Sequence, residues 1–200
     1  MSNLTTVSPF DKPVRCAWCG DDPLYQAYHD TEWGKPEYDG KRLFALLCLE
    51  SMQAGLSWIT ILRRREAYYR AFADFEPQII ATFDDEKVAE LLQDASIIRH
   101  RGKIEAIINN AKAYLAISAC EDFGEYLWRV VRTAQGRAPV DNCPPSEKDV
   151  PAQTPASAAL AKQLKKDGIK FVGATTCYAF MQACGMVNDH VAHCDFRHSS

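Results

Sequence analysis

Apolar residues in this 200-residue chain recur every third or fourth position, and no stretch alternates strictly between apolar and polar. That period belongs to helices packed through one face, not to strands of a sheet. The clearest case is KIEAIINNAKAYLAI, where Ile104, Ile107, Ile108, Ala111 and Leu115 fall on one stripe. Punctuation residues divide the rest. The spacing predicts helices from about Gly40 to Ala54, from a Ser57 cap to Phe72, briefly after Glu76-Pro77, and over EKVAELLQDA behind Asp84. Further helices follow over Glu121–Thr133, from Thr154-Pro155 to Gly168, and from Gly173 to Cys184, closed by Gly185. Residues 135–155 hold five prolines and read as one extended loop. The expectation is an all-α fold, a single domain over 1–200.

The formal net charge is −3, so a nucleic-acid partner would have to be met by locally concentrated basic residues. The opening MSNLTTVSPFDKPVR has no apolar core of signal-peptide length, and no later stretch approaches a membrane span. A soluble cytoplasmic chain without a membrane partner is expected, with no strong sign of an oligomer. The eight cysteines lack the crowding of a small disulfide scaffold. Cys48, Cys177 and Cys184 sit in apolar helical patterns and read as buried thiols.

Cys16 and His29 near one end, with His190 and Cys194 near the other, supply two thiolates and two imidazoles, a donor set that suits a tetrahedral zinc ion. The four-residue spacing of the second pair matches one side of a helical turn. Four protein ligands leave no open position, so such a site would be structural and would clamp the chain ends. Cys19, His193 and His198 are rival donors, and unrelated satisfied histidines beside cysteines are the plain alternative. A redox reading of Cys16-Ala-Trp-Cys19 lacks the strand–helix context that chemistry needs.

Within QDASIIRHRGKIEAII the pattern is helix, tight turn, helix, with Arg99, Arg101 and Lys103 around Gly102. Glycine at a helix start lets backbone N–H groups approach a phosphate, and such a hairpin holds a DNA backbone without reading sequence. Arg63-Arg64-Arg65 forms a second basic run, more simply read as a solvated helix face. Trp18, Tyr25, Tyr28, Trp33 and Trp58 crowd the N-terminal part, ordinarily the mark of an aromatic core. Glu50 alters that reading. It follows Leu43 by seven residues and Leu47 by three, so the helix turns its carboxylate toward the apolar side. Acid and rings together describe a pocket for a flat cation such as a methylated purine.

The strings DPLYQAYHDTEWG, LCLESMQAGLSWITIL, IIRHRGKIEAIINNAKAYL and FVGATTCYAFMQACGMVNDHV, in this order across residues 15–194, resemble the bacterial 3-methyladenine DNA glycosylase I family. The resemblance implies a helix-hairpin-helix glycosylase fold whose ends are joined by a structural zinc on Cys16, His29, His190 and Cys194. It implies that Glu50, Tyr28 and Trp58 contact a flipped base, with Trp18, Tyr25 and Trp33 completing the pocket. The implied activity is hydrolysis of the N-glycosidic bond of 3-methyladenine in damaged double-stranded DNA, releasing the free base and leaving an abasic site. Gly55-Leu56 are candidates for filling the gap left by the extruded nucleotide. The family lacks the water-activating aspartate of many relatives, which a cationic leaving group makes less necessary. Ser96 stands where the family often has glycine. A zinc-stabilised lesion-binding module and a zinc hydrolase are the competing classes. The stretch before Arg15 and the tail after Cys194 carry no motif.

Overall fold

The computed structural model describes residues 12–199, so most of the stretch before Arg15 lies outside it. Ten α-helices occupy the described residues: α1 (Pro23–Thr31), α2 (Gly40–Met52), α3 (Trp58–Leu62), α4 (Arg65–Ala71), α5 (Pro77–Ile80), α6 (Asp85–Leu91), α7 (Arg101–Ser118), α8 (Phe123–Gln135), α9 (Pro155–Lys166) and α10 (Ala174–Ala183). Their starts are chemically marked. Asp22, Asp39, Asp84 and Asp122 each accept hydrogen bonds from backbone N–H groups of the first turn of α1, α2, α6 and α8. Thr154 and Ser157 form a reciprocal capping box at α9, with Pro155 at its first position.

Helix α2 lies at the centre, packed against α10, α8 and α7. Leu43, Phe44, Leu47, Cys48 and Met52 on it are sealed from solvent, as are Ile104, Ile107 and Ala111 of α7. Cys177 and Cys184 are buried free thiols, as their pattern predicts. No helix among the described residues is long and apolar enough to cross a membrane.

Four features differ from the sequence expectation. Helix α1 was not foreseen, because its inward positions are Tyr25, Tyr28 and His29 in place of an aliphatic stripe. The expected helix over 57–72 is two, α3 and α4. The chain breaks at Arg64, whose guanidinium reaches Ala95 and Ser96 carbonyls on the neighbouring hairpin. The proline-rich loop is tied down: β1 (Val140–Asp141) pairs in parallel with β2 (Val187–Asn188), and residues Glu147–Asp149 make a 3-10 turn. Finally, His190 and Cys194 occupy a tight turn closed by Cys194 N–H donating to Val191 O, and not an α-helix.

The chain end returns across the pocket region through Gly185. At φ +68°, a Cβ there would lie 2.3 Å from the Lys35 carbonyl carbon and 2.7 Å from Gly34 O. Around it, Gly34 N–H donates to Gln182 O and Glu37 N–H to Cys184 O. Gly185→Ala is therefore expected to lower unfolding free energy by roughly 3 kcal/mol or more. Gly136→Ala, at φ +80° with nothing within 4 Å, should cost only about 1 kcal/mol of backbone strain. Urea denaturation of both variants checks this; equal losses would contradict the close approach.

Candidate base pocket, metal cluster and nucleic-acid face

Helix α1 serves two sites at once. Tyr25 and Tyr28, three residues apart, face a cavity of about 330 Å³, while His29 points to the opposite side. Trp18, Trp33, Glu50 and Trp58 complete the predicted lining, so all six sequence candidates meet in one cavity. Trp18 packs edge to face at 4.9 Å from both Tyr25 and Trp33, and Tyr28 lies tilted 5.6 Å from Trp58.

Glu50 sits in the last turn of α2 at 4 % exposure, and its Oε2 has no hydrogen-bond partner among the described residues. The buried Trp58 Nε1 likewise has none. An orphan acceptor and an orphan donor around one cavity call for a polar guest. Burial alone pushes the Glu50 carboxyl up to about 8. Tyr25, also desolvated, is raised to about 12, so the phenols stay neutral.

Sequence reasoning missed the far wall of this cavity. Gln53, Glu147, Val150, Gln182 and Asp189 also line it. Asp189 is buried and accepts from Asn142 Nδ2 at 2.7 Å, Tyr178 OH at 2.7 Å and Gln182 Nε2 at 2.8 Å. Glu147 Oε1 accepts from the Ala17 and Trp18 backbone N–H groups, fastening the proline-rich loop over the N-terminal segment. No local pattern marks Glu147 or Val150. Asp189 had one available signal, its place beside a predicted metal-binding histidine.

Cys16, His29, His190 and Cys194 form a buried cluster whose donor atoms lie within 4.8 Å of one another, close enough to share a metal ion. His29 Nε2 and His190 Nδ1 face Cys194 Sγ at 3.5 and 3.3 Å, and His190 Nδ1 faces Cys16 Sγ at 3.7 Å. The other ring nitrogens are anchored. His29 Nδ1 meets Asp30 at 2.8 Å, itself paired with Arg15, and His190 Nε2 meets Trp33 O at 3.3 Å. Burial holds the His190 imidazole neutral, down to about 4. The rival donors stand apart: Cys19 donates its thiol to Cys16 O, and His193 and His198 are exposed. Nearby, Val14 and Asp195 exchange two hydrogen bonds, so the two ends of the described chain are also joined by backbone.

The hairpin between α6 and α7 departs from expectation at one residue. Arg99 and Arg101 are exposed, and Arg101 faces Glu105 at 3.3 Å. Gly102 lies inside the first turn of α7, which His100 caps by accepting from Lys103 N–H. Lys103, expected to reach DNA, instead points inward at 6 % exposure, and its ammonium donates to Met52 O and Ala54 O. The second basic run is no free face either: Arg63 pairs with Asp22, Arg65 with Glu32, and Arg64 braces the hairpin. Gly55, at φ +81°, and Leu56, 39 % exposed, form the tip of the turn between α2 and α3, beside Gln53 and Trp58 of the cavity.

Comparison with known proteins places these features. Residues 18–198 match the sequence model of the methyladenine glycosylase family. The chain is 53% identical over 181 residues to DNA-3-methyladenine glycosylase 1 of Escherichia coli (strain K12), covering 90% of this chain and 95% of that protein. It superposes on a crystal structure of a 3-methyladenine DNA glycosylase I with TM-score 0.87 at 54% identity, covering 91% of this chain and 98% of the other. A structure describing 3-methyladenine recognition by the enzyme from Staphylococcus aureus gives TM-score 0.86 at 40% identity, with 92% and 96% covered. With the family model matched over residues 18–198 and relatives of this identity covered almost end to end, the chain belongs to the methyladenine glycosylase family.

Proposed function

We propose that this protein is a DNA-3-methyladenine glycosylase, which draws the cationic lesion out of duplex DNA and hydrolyses its N-glycosidic bond. The observation that carries this reading is Glu50, a buried carboxylate with an orphan oxygen in a cavity walled by aromatic rings. A neutral guest leaves that group protonated. A flat cation stabilises its ionised form, stacks on the rings and gains from their negative faces. The names carried by relatives at about half identity support the same substrate.

The chemistry asks little of the protein. As the sugar–base bond breaks, its electron pair leaves with the base, which becomes neutral, and the sugar gains oxocarbenium character. Water then adds to that carbon and loses a proton, leaving an abasic site. Ionised Glu50 holds the base and sets negative charge near the developing positive sugar. Arg99, Arg101 and the start of α7 around Gly102 grip the backbone, while Leu56 fills the space the nucleotide leaves.

The metal is zinc in this reading. Metal–sulfur distances of about 2.3 Å and metal–nitrogen distances of about 2.05 Å give sulfur–nitrogen edges of about 3.6 Å in a tetrahedron. Three of the four such separations at Cys16, His29, His190 and Cys194 run from 3.3 to 3.7 Å. Held by these four residues, zinc would have no open position for hydrolytic chemistry and would serve to lock the segments that carry Trp18 and Trp33.

Incubation of the protein with methylated duplex DNA is expected to release 3-methyladenine, identified by mass, with Glu50→Ala slower by on the order of 100-fold or more while remaining folded. Release of no base by native protein that binds free 3-methyladenine would refute the enzyme reading. The raised Glu50 carboxyl also predicts a stability signature. The folded state holds a proton that the unfolded chain releases, so stability falls as pH rises from the ordinary carboxylate range to about 8. Glu50→Gln should abolish this fall, gaining roughly 2–4 kcal/mol on native protein between about pH 5 and pH 8. A pH-independent difference in denaturation midpoint would place the carboxylate in solvent. Metal analysis should return about one zinc per folded chain, and Cys194→Ala should lose it with several kcal/mol of stability.

A further inference from the structure

Lys103 has no part in the chemistry above, yet its placement is unusual. It lies in the first turn of α7, the hairpin helix, with only 6 % of its surface exposed. Its ammonium meets no carboxylate; it donates to Met52 O at 2.9 Å and Ala54 O at 2.8 Å. Desolvation lowers its pKa, the mark of a charge held where an apolar side chain would sit more easily. What compensates the charge is the end of α2, where unpaired carbonyls and the helix dipole present partial negative charge.

Those two carbonyls begin the turn that ends in Gly55 and Leu56. On the α2 side of the turn, Leu56 N–H donates to Gln53 O; on the α3 side, Ser57 and Thr60 hydroxyls bond to each other. Nothing lies within 4 Å of a Cβ placed on Gly55, so the tip is open on that side, and Leu56 beside it is 39 % exposed. Lys103 thus fastens the stem of a partly exposed apolar tip to the first turn of the hairpin helix α7.

We propose that Lys103 is a positioning residue that holds the Leu56 turn in register with the hairpin, so that backbone grip and insertion of Leu56 occur as one rigid event. This rests on the glycosylase reading and adds to it a route from phosphate contact to base extrusion. A group acting this way matters where a base pair must be opened and a gap filled, and matters less where neither exists.

The test is single-turnover excision of 3-methyladenine from duplex and from single-stranded methylated DNA, with the affinity for free 3-methyladenine measured alongside. Lys103→Met is expected to slow duplex excision by on the order of tenfold to a hundredfold, to slow single-strand excision much less, and to leave free-base affinity within about twofold. A merely structural role would depress all three together and so overturn the proposal. A double-mutant cycle with Leu56→Ala gives the second arm: the two losses should overlap, since both remove the same insertion, and additive losses would overturn it. Should Lys103→Met fail to fold, Lys103→Arg is put through the same cycle, with the same two outcomes. Native protein that releases no base refutes the glycosylase reading itself, whereas native release with additive losses refutes only the role of Lys103.

Discussion

Glu50 is the constraint around which this molecule is arranged. Its carboxylate is carried into the interior by the last turn of α2, between Met52 and the sealed residues Leu47 and Cys48. Among the described residues no cation pairs with it: Arg65 is bound to Glu32, and the Lys103 ammonium donates to backbone carbonyls. The cavity beside it holds rings, amides and two further acids, Glu147 and Asp189, whose oxygens accept from donors of the protein. A buried acid without a donor is a standing cost, and a fold that keeps one has left part of its electrostatic balance to be completed by a ligand.

The walls of that cavity are packed directly on the Cys/His cluster. Trp33 stacks on His29 at an interplanar angle of 18° and meets His190 edge-on at 4.7 Å, while Trp18 lies 5.3 Å from His29. The same two indoles line the cavity. Cluster and cavity are therefore two faces of one aromatic partition. Ordering the cluster orders the pocket, and a pocket fixed in advance loses less entropy when the base arrives.

The helical architecture was legible because capping residues and aliphatic stripes are local signals. Asp39, Asp84 and Thr154 mark helix starts within three residues of themselves, and the position of Glu50 on α2 follows from its distance to Leu43 and Leu47. Contacts made between distant segments left no such trace. Lys103 reads as one more basic residue at a hairpin, since only the packing of α7 on the end of α2 turns it inward. The same holds for Arg64, whose hydrogen bonds span about thirty residues, and for Glu147, which reaches back to Ala17. Helix α1 escaped notice for a different reason: its inward face was composed for two sites, not for a core, and carries rings where an aliphatic period would have announced it.

Selectivity follows from the same electrostatics. Extruding any base from a duplex costs a few kcal/mol of stacking and pairing, and a normal adenine must repay that with contacts alone. At neutral pH it also meets a Glu50 that favours its protonated form, because burial pushes the carboxyl up to about 8. In the proposed reading a methylated, positively charged adenine would meet the same rings but draw Glu50 into its ionised form, gaining a buried charge pair that the normal base cannot form. On that reading the discrimination needs no contact to the methyl group. It needs the acid kept dry and unpaired until the cation comes, which is the condition that α2, the aromatic partition and the returning chain end jointly maintain.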